Sequence, residues 1–319
     1  MKNIPMVHGL PLGKIIKFKG EKTMKNITKI ALGLAIILGL TSCSSNNQSA
    51  KNDNAEKSAQ TEESKTDNST DPLADNDVIK LGVCGENNED WDDVAKRFKE
   101  GTGKEIELVK FTDYREPNEA LLSGDIDINA FQHKKFLEDF NKVAGSDIVS
   151  IADTSIAPLG IYSSKIKDLK DLKDGAKIAI PDDATNGARS LFLLQSAGLI
   201  KVSGKDGDAI TINEITENPR NFEIIELSAS QTARSLDDVD IACVNSGMAV
   251  DAGFIPTQDA IYLEDHKDPN KGIYVNIIAT TKANKDSKIL KDLVDNYYHT
   301  DETKKIIEEI SKGSSIPVW

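Results

Sequence analysis

One arginine, Arg189, follows an acidic, turn-rich loop that spans residues 182–187. The apolar spacing after this loop predicts a helix over residues 188–198, with Arg189 in its first turn. A planar guanidinium can hold a carboxylate through two parallel hydrogen bonds, and a helix N-terminus also favours negative charge. The residues alone leave two interpretations open: a carboxylate-binding arginine, or a solvated arginine paired with Asp182 or Asp183.

Three asparagines, Asn186, Asn245 and Asn276, each lie at the end of a predicted strand or helix. Side-chain amide oxygens accept hydrogen bonds from an ammonium group, and amide N–H groups donate to a carboxylate. Asparagine is also an ordinary turn and capping residue, and for Asn186 capping is the simpler role. Asn276 stands inside the apolar strand pattern of residues 275–277, where a buried amide needs partners.

Other kinds of chemistry find little support in the residue pattern. A metal-binding protein is a weaker hypothesis, because the four histidines are too few and too scattered for a convergent site. A secreted hydrolase would need a motif such as Gly-x-Ser-x-Gly or His-Glu-x-x-His, and neither occurs. Cys84 and Cys243 fall at predicted strand ends, where we expect small buried residues and no disulfide. We therefore expect no enzymatic activity and no cofactor.

Residues 1–43 have the pattern of an export signal. Two lysines precede an apolar run over residues 30–40, which is too short to span a membrane and fits the core of a signal peptide. Small residues then precede Cys43, as in a bacterial lipobox, where the cysteine is lipidated. Residues 1–23 carry no usable pattern, and a start at Met24 would give a signal peptide of ordinary length.

Residues 44–77 predict a disordered tether. Only five of these 34 residues are apolar, so the segment cannot bury enough surface to offset its ordering entropy. One or two acyl chains on Cys43 would hold the folded body at the extracytoplasmic face of the cell membrane. The net charge of −13 argues against nucleic acid as a partner, because phosphates bind basic surfaces.

Strand and helix patterns alternate from residue 78 onward. The predicted strands cover residues 78–83, 106–111, 125–131, 156–162, 177–180, 223–227, 240–244 and 274–280. The predicted helices cover residues 90–101, 117–123, 136–143, 188–198, 229–236, 288–298 and 303–312. This alternation is typical of α/β folds in which helices connect parallel strands.

We infer a two-lobed α/β fold like that of periplasmic binding proteins, in which each lobe is a mainly parallel sheet flanked by helices. Residues 78–158 and 277–319 are predicted to form lobe 1, and residues 159–276 to form lobe 2. Crevices at the carboxyl ends of the strands would face each other across a hinge and close on a small ligand. Export signal, tether and fold together indicate a solute-binding protein, although architecture alone gives no ligand.

Longer motifs run through nearly the whole predicted body. They are residues 111–121 (FTDYREPNEAL), 124–133 (GDIDINAFQH), 158–163 (PLGIYS), 180–191 (IPDDATNGARSL), 215–219 (ITENP), 236–240 (LDDVD), 274–278 (YVNII) and 317–319 (PVW). Together they resemble the methionine-binding lipoprotein family of the NlpA/MetQ type. The resemblance implies a monomeric substrate-binding lipoprotein of an ABC importer that binds L-methionine or a close analogue. Its partners would be an ABC permease and its ATPase.

The same resemblance implies a set of ligand-binding residues. They are Tyr114, Phe131, His133, Asn186, Arg189, Asn245 and Asn276. In this set Arg189 would hold the ligand carboxylate. The aromatic members and His133 would form the side-chain pocket, because a polarizable thioether gains from contact with aromatic edges.

Two segments depart from the family pattern at the edge of the predicted cleft. Family members usually carry a tyrosine about two residues after the position of Asn245, whereas this chain continues with serine, glycine and methionine at residues 246–248. The first predicted strand is followed by polar residues at 86–88, where small apolar ones are expected. A changed ligand is therefore an open alternative, either a methionine-containing dipeptide or a different amino acid.

Overall fold

The computed structural model describes residues 71–265 and 267–319. The strands in this part of the chain are β1 (Val78–Cys84), β2 (Glu105–Phe111), β3 (Ile128–Asn129), β4 (Val149–Ile156), β5 (Gly160–Tyr162), β6 (Lys177–Pro181), β7 (Lys201–Val202), β8 (Ile215–Glu217), β9 (Glu223–Leu227), β10 (Ile241–Val244), β11 (Tyr262–Leu263), β12 (Val275–Thr280) and β13 (Ile316–Pro317). The α-helices are α1 (Glu89–Thr102), α2 (Glu116–Ser123), α3 (Lys134–Ala144), α4 (Ala184–Ser196), α5 (Ala229–Thr232), α6 (Ser246–Asp251), α7 (Pro256–Asp259), α8 (Lys288–Asp292) and α9 (Asp301–Ile310).

Lobe 1 is built on a six-stranded sheet with the order β13-β4-β12-β3-β1-β2. Strand β1 is parallel to β2 and β3, whereas β12 is antiparallel to both of its neighbours. At every second position of β1, Ile79, Leu81 and Val83 point into a core that also contains Trp91 and Phe98 of α1. This alternation shows that one face of the strand lies under the helix layer.

Lobe 2 is built on a five-stranded sheet with the order β11-β5-β10-β6-β9, and a separate pair of strands, β7 and β8, lies beside it. Helix α4 is the central helix of this lobe, and residues 185–194 within it are all buried. Its apolar side chains share one core cluster with Ile178 and Ile180 of β6 and with Ile241 of β10. A helix that is buried on nearly all sides holds its few polar side chains in fixed positions.

The chain passes between the two sheets at two places in the described residues. The first crossing segment, residues 157–159, joins β4 to β5, and the second, residues 264–274, joins β11 to β12. The two-lobed α/β class is confirmed, and each of the two large sheets combines parallel with antiparallel strand pairs. Because the chain re-enters lobe 1 at β12 and ends at β13, these strands pair antiparallel with β4. The division of the lobes at residues 158 and 277 stays a prediction.

Most of the predicted elements occur, and the differences have local causes. The strand expected over residues 125–131 is reduced to two residues, and the strand expected over residues 156–162 divides into β4 and β5 around Pro158. Most of β4 was missed in the sequence. Every second residue from Ala152 to Ile156 is buried, but one of these buried residues, Thr154, is polar, so the residue types do not show the alternation. The helix expected over residues 288–298 changes from α-helix to a π-helical turn at Leu293.

Residues 71–77 pack on lobe 1, although they were predicted to belong to the tether. Leu73 is only 4 % exposed and lies in the lobe 1 core. The Asp71 carboxylate accepts hydrogen bonds from the backbone N–H groups of Lys288 and Ile289 at the start of α8, at 2.7 and 3.1 Å. The folded body therefore begins before Val78, because an apolar residue and a helix-capping carboxylate in this segment both find partners.

The predicted signal peptide, the lipidation site at Cys43 and most of the predicted tether lie outside the described residues. Among the helices of the described part, none has both the length and the apolar character needed to cross a membrane.

Replacing Leu73 with alanine should lower the free energy of unfolding by about 2–5 kcal/mol, because the change removes buried methyl groups and leaves a cavity. Urea unfolding followed by fluorescence measures this loss. Leu122→Ala is the matched control, because Leu122 is 47 % exposed and should tolerate the change with little loss. Equal stabilities of Leu73→Ala and the unaltered protein would contradict the packing of this segment.

Candidate ligand-binding cleft

A cavity between the two lobes is lined by all seven residues that the sequence predicted for the site. It offers about 60 Å³ to the centres of water-sized molecules, which is room for several waters. The lining residues are Tyr114, Phe131, Gln132, His133, Phe136, Ala157, Pro158, Leu159, Asn186, Arg189, Asn245, Ser246, Gly247 and Asn276. Both lobes and the first crossing segment therefore contribute to the cavity wall.

Helix α4 places Arg189 in the cavity, but the predicted start of this helix was wrong. The helix begins at Ala184, four residues earlier than expected, because the Asp183 carboxylate accepts a hydrogen bond from the Asn186 N–H at 2.9 Å and caps the first turn. Arg189 consequently lies in the second turn of the helix. Its side chain reaches the cavity from the middle of the buried face and not from the helix end.

The Arg189 guanidinium is buried and paired with Glu264, and only 4 % of the arginine side chain is exposed. Its Nε lies 3.1 Å from both carboxylate oxygens of Glu264, and its Nη2 donates to Glu264 and to the Ala157 carbonyl. The Tyr274 ring stacks against the guanidinium, 4.2 Å away. In the described part of the chain, Nη1 has no hydrogen-bond partner, and it is the group left for a ligand.

The alternative pairing of Arg189 with Asp182 or Asp183 is wrong. Asp182 forms a salt bridge with Arg115 of lobe 1 at 2.6 Å. The Asp183 carboxylate instead caps the first turn of α4. Burial raises the pKa of Asp183, although the hydrogen bonds from Asn186 and Thr185 act in the opposite direction.

Glu264 connects Arg189 to both crossing segments. Its carboxylate accepts hydrogen bonds from the Leu159 N–H at 3.1 Å and forms a salt bridge with Lys271 at 2.8 Å. Burial alone would raise the pKa of Glu264, but the charges of Arg189 and Lys271 lower it to about 2. The carboxylate is therefore ionised at every physiological pH, and it joins the cavity to the segments about which the lobes would hinge.

His133 is the N-cap of α3, and this role fixes the position of its proton. Its Nδ1 accepts a hydrogen bond from the Phe136 N–H at 3.0 Å, so the neutral ring carries its proton on Nε2. Burial and the nearby positive charge of Arg189 lower the pKa of His133 to about 3. The Nε2 atom is buried with no partner among the described residues. His133 is thus a neutral hydrogen-bond donor in the cavity.

The asparagines form a relay that leaves one acceptor unused. Asn186 donates to both oxygens of Asp183, and its own Oδ1 accepts from Asn245 Nδ2 at 2.9 Å. The Asn245 Oδ1 is buried without a partner in the described residues. Asn276, half-buried in β12, forms a backbone bridge with His133 and brings its amide to the cavity wall. Asn186 therefore orients the Asn245 side chain, while the amide groups of Asn245 and Asn276 are available to a ligand.

Aromatic rings close one side of the cavity. The rings of Tyr114 and Phe131 lie 6.0 Å apart and nearly parallel, and the Phe136 ring meets both edge-on at 6.4 and 5.7 Å. Tyr274 meets the His133 ring edge-on at 5.2 Å. This wall suits an apolar, polarizable group next to the polar end of the cavity.

The sequence analysis missed three residues that shape this site: Phe136, Glu264 and Tyr274. Phe136 carried a signal, because it stands three positions after His133 in the first turn of a predicted helix. Glu264 precedes a polar stretch and looks like a solvated acid in the sequence. Only the tertiary structure brings Glu264 beside Arg189, which is 75 positions away in the chain.

Direct contacts between the lobes hold the cleft closed. On the lobe 2 side, the Asp251 carboxylate accepts hydrogen bonds from the N–H groups of Glu86 and Asn87 at 3.1 and 3.2 Å and from Asn87 Nδ2 at 2.6 Å. We call these contacts the Asp251 clasp. The Arg115–Asp182 salt bridge adds a second contact across the cleft. Glu86 and Asn87 follow β1, whereas Asp251 is the last residue of α6.

A second cavity adjoins the first. It offers about 190 Å³ to water-sized centres, and it shares Tyr114, Phe131, Ser246, Gly247 and Asn276 with the first cavity. Apart from its chain neighbours and the backbone of its own helix, no described atom lies within 4 Å of the position that a Gly247 Cβ would take. The sequence departure after Asn245 thus leaves open space where a larger side chain would fit.

The remaining candidate groups show no reactive arrangement. Cys84 and Cys243 are free thiols. Burial raises the pKa of both, that of Cys243 to about 12, so they remain protonated. Within residues 71–265 and 267–319, no group of three or more histidine, cysteine or acidic side chains could hold a metal ion.

The arrangement as a whole fits an amino-acid zwitterion. The donors Arg189 Nη1 and His133 Nε2 suit a carboxylate, and the acceptor Asn245 Oδ1 suits an ammonium group. The aromatic wall would bury the side chain. These groups are hydrogen-bond donors, hydrogen-bond acceptors and apolar rings, which together suit the binding of such a molecule.

Comparison with known proteins gives the family. Residues 79–319 match the family model of the NlpA lipoprotein. The chain belongs to the NlpA lipoprotein family. A D-methionine-binding lipoprotein MetQ of Salmonella typhimurium is 43 % identical over 76 % of this chain and 88 % of the relative. This confirms the resemblance drawn from the sequence motifs.

Solved structures of similar proteins extend the family likeness to the fold. A nutrient-binding protein from Burkholderia cenocepacia bound to methionine has a TM-score of 0.71 and 42 % identity, covering 76 % of this chain and all of that one. The substrate-binding protein of a methionine transporter from Streptococcus pneumoniae has a TM-score of 0.71 and 39 % identity, covering 76 % of this chain and 96 % of that one. The fold of this chain is therefore shared with both of these solved structures.

The buried, neutral His133 should make stability fall as the pH is lowered. In the unfolded chain its pKa is near 6.5, so the unfolded state gains a proton between pH 7 and 5, whereas the folded state does not until about pH 3. His133→Asn keeps a capping oxygen and removes this proton uptake. Between pH 7 and 5 the unaltered protein should lose about 2 kcal/mol more stability than the variant. Urea unfolding at both pH values measures the difference, and parallel losses would contradict a buried neutral ring.

Proposed function

We propose that the protein is the extracytoplasmic substrate-binding lipoprotein of an ABC importer and that it binds methionine in the cleft between its lobes. The observation that carries the proposal is the cavity itself. Among the described residues, His133 Nε2 and Asn245 Oδ1 have no hydrogen-bond partner, and Arg189 uses only Nε and Nη2 in its contacts with Glu264 and Ala157. Relatives named for D-methionine binding and a relative bound to methionine support the same ligand.

In this proposal each end of the ligand has its own partner. The carboxylate lies against Arg189 Nη1 and the Nε2–H of His133, and the ammonium group lies against Asn245 Oδ1 and the Asn276 amide. The thioether packs on Tyr114, with Phe131 and Phe136 around it. Closure of the lobes then excludes water, and no covalent bond is made or broken.

A thermal-shift screen of the purified protein tests the ligand. The protein should first be unfolded and refolded to remove any ligand carried through purification. L-methionine, D-methionine and the other amino acids are then compared, and a ligand present at 100 times its Kd should add about 2.7 kcal/mol of stability. We expect the largest shift from methionine. No shift with either enantiomer would overturn the proposal.

A methionine-containing dipeptide is the second candidate, and the adjoining cavity is the observation that favours it. An extra residue on the ligand would extend past Ser246 and Gly247, where the family's usual tyrosine is missing and where space is open. Competition calorimetry between free methionine and methionine-containing dipeptides separates the two. Tighter binding of a dipeptide than of either methionine enantiomer would favour the second candidate.

The proposal also covers partners and location. An ABC permease with its ATPase would take the ligand from this protein. The streptococcal relative is the substrate-binding protein of a methionine transporter, which supports such a role. Acyl chains on Cys43 would anchor a monomer to the outer face of the cell membrane, with residues 44–70 as tether.

Removal of the guanidinium should weaken methionine binding. Arg189→Ala should lower the binding free energy by about 2–5 kcal/mol, because the ligand carboxylate loses its charged partner. Isothermal calorimetry measures the change. Arg220→Ala is the matched control, because Arg220 also lies in lobe 2 on an aromatic ring and pairs with Asp174, away from the cavity. Unchanged affinity in Arg189→Ala would mean that the carboxylate is held elsewhere.

Loss of the lipidated cysteine should release the protein from the membrane. We expect Cys43→Ser to move the protein from the membrane fraction to the soluble fraction in a bacterial host that lipidates it, because the acyl anchor is gone. Cell fractionation with immunoblotting provides the measurement. Cys84→Ser is the control, because Cys84 lies in the folded body, and this variant should stay with the membrane. Membrane retention of Cys43→Ser would contradict the anchor.

A further inference from the structure

We propose that Glu264 is a positioning residue that both orients Arg189 and balances the charge beside the cavity, so that the site accepts a net-neutral zwitterion in preference to an anion. This inference deepens the proposed function and rests on it. Glu264 lies outside the cavity wall and acts through Arg189.

The first part of the argument is orientation. The Glu264 carboxylate accepts hydrogen bonds from Nε and Nη2 of Arg189, and the Ala157 carbonyl accepts another from Nη2. The Tyr274 ring fixes the plane of the guanidinium from one side. A guanidinium is rigid, so these contacts leave Nη1 as the group that can meet a ligand. The arginine is therefore set in place before any ligand arrives.

The second part is the balance of charge. Four charged groups meet behind the cavity: Arg189 and Lys271 are cations, and Glu264 and Asp206 are anions. Lys271 pairs with both acids, and the Tyr274 hydroxyl donates to Asp206 at 2.6 Å. These four groups, which we call the hinge quartet, sum to zero. They join residues of α4, of lobe 2 and of the second crossing segment.

Three other titratable residues in or near the cavity, His133, Asp182 and Asp183, each have a local partner in the described residues. His133 is neutral, because its Nδ1 accepts a backbone hydrogen bond. Asp183 lies at the positive end of α4 and accepts bonds from Asn186, and Asp182 is paired with Arg115. A ligand without net charge therefore leaves the buried site neutral. A carboxylate without an ammonium group would add an uncompensated charge, which is costly away from water.

The balance predicts a change of ligand preference when one member of the quartet is neutralised. Glu264→Gln keeps the size of the side chain but gives the quartet a charge of plus one. Affinity for methionine should fall, and the anionic analogue 4-(methylthio)butanoate, which is methionine without its amino group, should become relatively favoured. We expect the ratio of the two dissociation constants to shift at least about tenfold toward the anion. Competition calorimetry on the full chain in detergent measures both constants.

Two further variants separate charge from structure. Lys271→Met gives the quartet a charge of minus one and should shift the ratio in the opposite direction. The double variant Glu264→Gln with Lys271→Met is neutral again and should return the ratio to that of the unaltered protein. Glu217→Gln, which removes an exposed partner of Lys201 in lobe 2, is the control and should leave the ratio unchanged.

The outcomes decide between the two proposals. If the unaltered protein binds methionine but Glu264→Gln and Lys271→Met weaken both ligands by the same factor, Glu264 has a structural role only and this inference is overturned. The inference is also overturned if both variants bind both ligands with the affinities of the unaltered protein. If Glu264→Gln fails to fold, the direction of the shift in Lys271→Met decides. Failure of the unaltered protein to bind methionine would instead overturn the proposed function.

Discussion

The buried contact between Arg189 and Glu264 is the point where the cavity, the lobe 2 core and both crossing segments meet. Arg189 projects from α4, in which ten consecutive residues are buried, and Glu264 contacts the first crossing segment through Leu159 and the second through Lys271. A buried ion pair adds little net stability compared with apolar packing, whereas the loss of one partner is expensive. Such a pair is therefore better understood as a constraint on geometry. It requires the helix, the crossing segments and the cavity wall to keep one arrangement.

Much of this arrangement could be predicted from the sequence, because it depends on local patterns. The strand–helix alternation indicated the α/β class, and the motif order pointed to seven residues that the fold does bring to one cavity. The start of α4 was misplaced because Asp183 can be read as a turn residue or as a cap, and only the hydrogen bond to Asn186 decides. Glu264 could not be predicted, because nothing in its polar neighbourhood indicates burial. Its environment is created by chain segments 75 and 105 positions away.

The two departures from the family pattern have structural counterparts at the same rim of the cleft. Residues 246 and 247 have small side chains and leave a second cavity open beside the first. Asn87, one of the polar residues after β1, supplies both its backbone N–H and its side chain to Asp251 of the opposite lobe. The chain therefore has more space than the family pattern suggests on one side of the rim and more polar contact between lobes on the other. Both features lie outside the polar groups that would recognise an amino acid.

The Asp251 clasp has a consequence for how an occupied molecule can be told from an empty one. Its hydrogen bonds join protein groups only, so a bound ligand is not needed to form them. These hydrogen bonds favour the closed form by the same free energy in the ligand-free and in the ligand-bound protein. They therefore cannot make closure depend on the ligand. Discrimination must then come from the interior contacts alone. A receptor that recognised only the closed rim would therefore bind the ligand-free protein as well as the ligand-bound protein.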